Sequence, residues 1–293
     1  MDAGVAWPGV LTVRQLMAVT ALMVVLGLIR NGAACAAELR LGPAFIESKD
    51  YVIDSDTDPV LARTVADHLD GFHAALERAF AGRLPAPSGR FTVRYAKDRA
   101  SFLAYGAAHC ANFNRAWHGY FQAPSATAGG ELVAYHLGAN HGVLFHEAFH
   151  QAMQRTFPQI RSWPRWFDEG LADFVARGHF EQGGYLLPRT LATGDLVLAR
   201  DALSAQRLVP LATLLRLDLA AWNGEGQMLH YAEGYLLAHV LMTAEHPPLA
   251  GLVGRFLTKL AEGQDYEVAY AAEVVPHLAV IDRAWLAVIR DAR

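Results

Sequence analysis

Cysteine is nearly absent, with two residues in 293, Cys35 and Cys110. At most one bridge could form, so a disulfide-stapled scaffold is excluded, and a chain of this length can rely on a buried core instead. Charge is also sparse. Charged residues make up 18% of the chain against 53% hydrophobic ones, which excludes a disordered, self-repelling polymer. The formal net charge of -4 leaves no excess of Lys and Arg to neutralise phosphates, so no nucleic-acid partner is expected. No internal repeat, low-complexity tract or flexible linker interrupts the sequence. What remains is a globular chain of one domain, or one domain with an extension.

Residues 1–37 read differently from the rest. Arg14 precedes an uncharged run from Leu16 to Ile29, and Ala33, Ala34, Cys35, Ala36 and Ala37 supply small residues suited to signal-peptidase cleavage. The run is shorter than the roughly 20 residues a spanning helix needs, so the segment is expected to be an export signal. A retained anchor beginning near Val10 is the alternative. Lipidation of Cys35 is a lesser one, because Gly32 stands where a lipoprotein signal usually has leucine. The expected location is periplasmic or extracellular, with membrane contact only through this segment if it is retained. Cleavage after Ala36 would leave Cys110 as the sole cysteine; nothing around it activates a thiol, and a small buried apolar role is expected.

After the signal, Tyr51 to Asp54 reads as a strand, and Asp58 with Pro59 opens a helix through Leu61, Val65, Leu69, Phe72, Leu76 and Phe80. Phe91 to Tyr95, Trp117 to Phe121 and Glu131 to Leu137 alternate as strands, with a helix over Asp98 to Tyr105. Residues 38–137 therefore form an α/β front region. From Asn140 onward the pattern is helical nearly to the end, broken at Pro158, Gly178 to Gly184, Asn223 to Gly226, and Pro247 with Pro248. The expected fold is α+β, with residues 138–293 as a mostly helical region and one cleft shared between the two.

At the junction stand His146, Glu147, Ala148, Phe149 and His150, the HExxH pattern, in a helix that Asn140 can cap. Four residues of helix turn about 400° and rise about 6 Å, so both imidazoles leave one face and can reach one ion. Zinc suits two histidines, and it needs one more protein ligand to leave a fourth position for water. Glu169 is the candidate. The first helix runs on to about Thr156, Pro158 breaks it, and Pro164 can open a second helix; an antiparallel pair then sets Glu169 level with His150. Asp173, one turn further on, can hold the outward nitrogen of a histidine ligand. By composition alone the pattern arises by chance about 0.025 times in such a chain, so the added carboxylate and its spacing carry much of the weight.

On these residues the chain resembles the gluzincin clan of zinc metallopeptidases, which includes thermolysin and the larger zinc aminopeptidases. Gluzincins take a third ligand from a glutamate on the next helix, often in a Trp-x-x-Glu-Gly phrase, and Trp166, Glu169 and Gly170 stand in that order. The aminopeptidase branch also carries a downstream Tyr-x-x-Gly, matched by Tyr231 and Gly234. More closely, residues 50 to 290 are similar to a bacterial gluzincin-like family known as domain of unknown function 1570, in which a glutamine follows HExxH, as Gln151 does here. The resemblance implies a gluzincin-like fold with a metal cleft, Zn2+ on His146, His150 and Glu169, and an oxyanion-supporting role for Tyr231. It names no substrate.

The chemistry expected is hydrolysis of a peptide or protein substrate, with zinc acidifying a water and Glu147 as general base. No Ser/His/Asp grouping competes. The alternative is an exported metal-containing binding or scaffolding module, against which an intact Glu147 argues. Tyr235 and His239 continue the Tyr231 stripe as possible pocket residues, while His230 points elsewhere. His141 lies about 140° around the helix from His146 and is expected only to start it. His118 and His136 fall on strand candidates bordering the cleft, where an edge strand could hold an extended peptide.

Overall fold

The computed structural model describes residues 41–80, 89–124, 130–160, 162–181, 184–243 and 247–292; the expected export signal lies outside them. Among the described residues no helix is long and apolar enough to cross a membrane.

The fold is mixed α+β. Strands β1 (Ala44–Glu47), β2 (Tyr51–Ser55), β3 (Phe91–Ala96), β4 (Gly119–Gln122) and β5 (Glu131–Tyr135) form one sheet in the order β1-β2-β3-β5-β4. The three central strands run parallel, and both edges are antiparallel. Parallel neighbours need crossovers. Helix α1 (Pro59–Ala79) links β2 to β3, started by the Asp58 carboxylate, which accepts from the Val60 and Leu61 amides at 3.0 Å each. Its buried stripe of Val65, Leu69, Phe72 and Leu76 follows the spacing of one helix face. Helix α2 (Arg99–His109) begins in the same way, with Asp98 accepting from Ser101.

The remaining helices are α3 (Gly142–Thr156), α4 (Arg165–Ala176), α5 (Thr193–Ser204), α6 (Leu211–Leu214), α7 (Leu219–Trp222), α8 (Gln227–Met242), α9 (Leu252–Ala261), α10 (Tyr266–Glu273) and α11 (Leu278–Asp291). One hydrophobic core runs from Tyr51 to Ile289 through both regions, and a smaller cluster around Phe102 and Trp117 packs elsewhere against the sheet. Helix α3 is buried from Val143 to Met153 because it lies between the β4–β5 side of the sheet and helix α4. Gln151 pins it there, donating from Nε2 to the Thr92 carbonyl at 2.9 Å.

Three expectations need correction. In the mostly helical second region, His179–Glu181 (β6) and Gly184–Leu186 (β7) pair as an antiparallel hairpin where only a break was expected. Strand β1 was not anticipated; its four residues are too few to establish a period. Asn140 does not cap α3 in the usual position: its Oδ1 accepts only from the Gly142 amide, at 2.9 Å, and His141 is the cap residue, without a side-chain bond.

Helices α4 and α8 meet backbone to backbone. A Cβ on Gly170 would lie 2.6 Å from the Gly234 carbonyl oxygen, and one on Gly234 would lie 2.8 Å from the Trp222 ring. Only glycine fits at either position, and the close approach brings Tyr231, one turn before Gly234, toward the helix that carries Glu169. Gly170→Ala is expected to lose about 1–3 kcal/mol of stability by overpacking, read as a lower midpoint in urea at unchanged slope. An unaltered midpoint would mean that the two helices can separate freely.

Candidate metal centre

The hydrophobic surroundings of α3 and α4 remove water from the side chains between them. His146, Glu147, His150 and Glu169 are all buried, with at most 4% of any of them exposed. Their ligand atoms converge. The two Nε2 atoms are 3.1 Å apart, and Glu169 Oε2 lies 3.4 Å from that of His146 and 3.7 Å from that of His150. A tetrahedral ion with bonds of about 2.0–2.1 Å places its ligand atoms roughly 3.3–3.4 Å apart. The observed triangle brackets that value. Glu169 Oε2 makes no hydrogen bond of its own, although it is buried, and such an atom normally has a partner. The three residues therefore fit a metal ion, and they are the one His/Cys/Asp/Glu group among the described residues with that spacing.

The outward nitrogens are held by carboxylates. His146 Nδ1 is 3.0 Å from Asp173 Oδ1, and His150 Nδ1 is 2.9 Å from Asp168 Oδ1. An Nδ1–H donated to each carboxylate leaves Nε2 as the lone-pair nitrogen directed at the ion. The carboxylates are anchored in turn. Arg165 Nη1 lies 3.3 Å from Asp168 Oδ2 and donates to Glu169 Oε1 at 3.2 Å. Arg177 Nη1 lies 3.6 Å from Asp173 Oδ1 and donates to its carbonyl at 2.8 Å, while Nη2 donates to Asp195 at 2.7 Å.

The packing of like and unlike charges shifts the proton affinity of each group in this cluster. Burial disfavours a charged imidazole, but the hydrogen bond to Asp173 and the Glu169 carboxylate facing the ring outweigh that and push the His146 pKa up to about 9. Burial likewise opposes charge on His150, and Asp168 and Glu169 raise it well above the ordinary range. Burial would raise the Glu169 carboxyl, yet its two imidazole partners hold it far below. Glu147 moves the other way: burial raises its carboxyl, only partly opposed by the two histidines, and Oε1 has no hydrogen bond.

Tyr231 is buried, and its hydroxyl is pushed well above its usual pKa, first by burial and then by the charges of Glu169 and Asp173. Tyr235 does not reach the centre as a pocket residue: its hydroxyl accepts from the Ala192 amide at 3.0 Å and its ring lies 4.2 Å beneath the Arg177 guanidinium. His239 packs edge-on against Phe174, and His230 bonds to the Trp222 carbonyl. His141 packs on His68. His118 and His136 bond to the hydroxyls of Tyr135 and Tyr95. Cys110 is half-buried, and burial raises its thiol, which suits no catalytic role.

Sequence reasoning missed Asp168, Arg165 and Arg177. The signal was present: Asp168 and Glu169 follow Arg165 by three and four residues, and Arg177 follows Asp173 by four, the spacings at which helical side chains meet. No family model and no curated protein matches the chain.

Two outcomes are expected. At pH 7 His146 is protonated in the metal-free protein, being below its raised pKa, so zinc must displace that proton. Calorimetry in buffers of different ionisation enthalpy should record release of about one proton or more per ion, and affinity should rise with pH through neutrality, because both histidines are raised. Asp168→Asn and Asp173→Asn should each weaken zinc about 10- to 100-fold in a chelator competition. Unchanged affinity in both would remove their orienting role.

Proposed function

We propose that this chain is a zinc-dependent peptidase of gluzincin type, with His146, His150 and Glu169 as ligands and a peptide or protein as substrate. The observation that carries this reading is the buried ligand triangle beside a carboxylate, Glu147, that is one residue from His146, is not part of the triangle and has no hydrogen bond at Oε1. A structural zinc site closes four protein ligands around the ion, whereas here three converge beside a potential base.

Zinc held by the three would supply Lewis acidity and acidify a water. Glu147 takes the proton of that attacking water. Burial raises its proton affinity above that of an exposed glutamate, the direction required of a group that accepts a proton and returns it to the leaving amine. Tyr231, whose raised pKa keeps its hydroxyl protonated, donates a hydrogen bond to the oxygen that becomes negative. Asp168 and Asp173 hold the Nδ1 protons in place throughout.

The edge strand β4 supplies a track for the substrate. A Cβ on Gly119 would lie 3.4 Å from Glu147 Cγ and 2.6 Å from Val143 Cγ1, so the strand passes directly beside the base, and glycine is required there. A peptide extending the sheet at β4 would be carried past Glu147 by main-chain hydrogen bonds.

Glu147→Gln should keep near-stoichiometric zinc and lose about 100- to 10,000-fold in kcat against a broad peptide library. Tyr231→Phe should lower kcat by about 10- to 1,000-fold with a smaller change in KM. Equal turnover by wild type and Glu147→Gln would refute the mechanism.

A further inference from the structure

The stripe of α3 that carries Glu147 continues past the metal centre. Gln151, Gln154 and Arg155 follow it by four, seven and eight residues, on the same side of the helix. With Arg90 and Thr92 at the start of β3, and Phe121 on β4, they line a cavity of about 320 Å3. The Phe121 amide also acts on the Glu147 carboxyl, so the cavity and the base share a wall.

The lining has a definite chemistry. It holds two guanidiniums and two carboxamides and, among the described lining residues, no carboxylate. Arg155 is fixed in place: Nη1 donates to the Arg90 carbonyl at 2.7 Å, and the guanidinium lies 4.9 Å over the Phe91 ring. Arg90 is oriented by Glu47 at 3.0 Å and by the Ser48 carbonyl at 2.8 Å. Gln151 is buried, uses Nε2 on Thr92, and has no hydrogen bond at Oε1. That oxygen calls for a donor, as the N–H of a peptide provides; Arg90 is already paired with Glu47, and the positive charge of Arg155 in the lining favours an anion.

Distance along the helix fixes the register. Helical rise places Gln151 about 6 Å and Arg155 about 12 Å beyond Glu147. An extended peptide advances about 3.3 Å per residue, so its side chains about two to four residues from the reacting bond reach this cavity. We propose that the cavity is a specificity subsite for a substrate carboxylate two to four residues from the cleaved bond, either an acidic side chain or the chain-terminal carboxyl. This rests on the peptidase reading above, and the test separates the two.

The test uses the zinc-loaded full chain and fluorescent peptides that differ only by Asp or Glu against Asn or Gln at each position two to four residues from the centre, with free or amidated carboxyl ends. Binding is read by anisotropy on Glu147→Gln, and cleavage on the wild-type active site. The acidic peptides should bind and be cleaved about 10- to 100-fold better than their amides. Arg155→Gln should cut that acidic-to-neutral ratio about 10-fold or more. Gln154→Glu, which changes charge at constant shape, should abolish it, and it carries the test if Arg155→Gln folds poorly. Loss of the preference on amidation assigns the terminal carboxyl; persistence assigns the side chain. Cleavage with no acidic preference would overturn the subsite and leave the peptidase reading intact. Acid-selective binding without cleavage would overturn the peptidase reading and leave the subsite. Neither binding nor cleavage would overturn both.

Discussion

Two imidazole nitrogens and a carboxylate oxygen face one another inside a dry helix pair, 3.1 to 3.7 Å apart, and they tolerate that arrangement only if a positive charge lies among them. Protons can supply it, and so can a divalent cation. The rest of the centre follows from this constraint. Asp168 and Glu169 pair with Arg165, and Asp173 pairs with Arg177, which is shared outward with Asp195, while Glu147 is buried beside the histidines. Isolated in a low-dielectric interior, the same acids would cost far more than any packing gain could offset.

The scaffold makes that concentration of charge possible by fixing backbones before side chains. Helix α3 is pinned to the sheet by Gln151, and α4 is held against α8 where two glycines touch. Neither restraint involves the ligands directly. Together they set the separation and level of the two helices, which decides whether a glutamate on one can share an ion with histidines on the other. The second sheet edge, β4, then lies beside the base rather than in solvent, so one face of the centre is bounded by backbone capable of pairing.

Much of this could be read from the sequence, for physical reasons that differ from element to element. The Asp58–Pro59 start of α1 and the Asp98 start of α2 were legible because capping is local chemistry. The convergence of His146, His150 and Glu169 was legible as an expectation because helical rise and a proline break determine it. The pairing of Asp168 with His150 was not, because the choice of orienting carboxylate depends on helix rotation about the axis. The β6–β7 hairpin was hidden among glycines and charged residues, and its strands are only three residues long. The role of Tyr235 could not be read from its spacing either, since its hydroxyl is committed to a backbone amide 43 residues away.

The adjacency of Asp168 and Glu169 has one more consequence. On a helix, consecutive side chains diverge by about 100°, yet both of these reach His150, Asp168 at its rim nitrogen and Glu169 at the nitrogen that faces the centre. The two differ in length by one methylene, and the longer of them is the one that reaches the centre. The order Asp-Glu is therefore directional, and exchanging the two acids would keep every charge while leaving the long arm outside and the short arm out of reach.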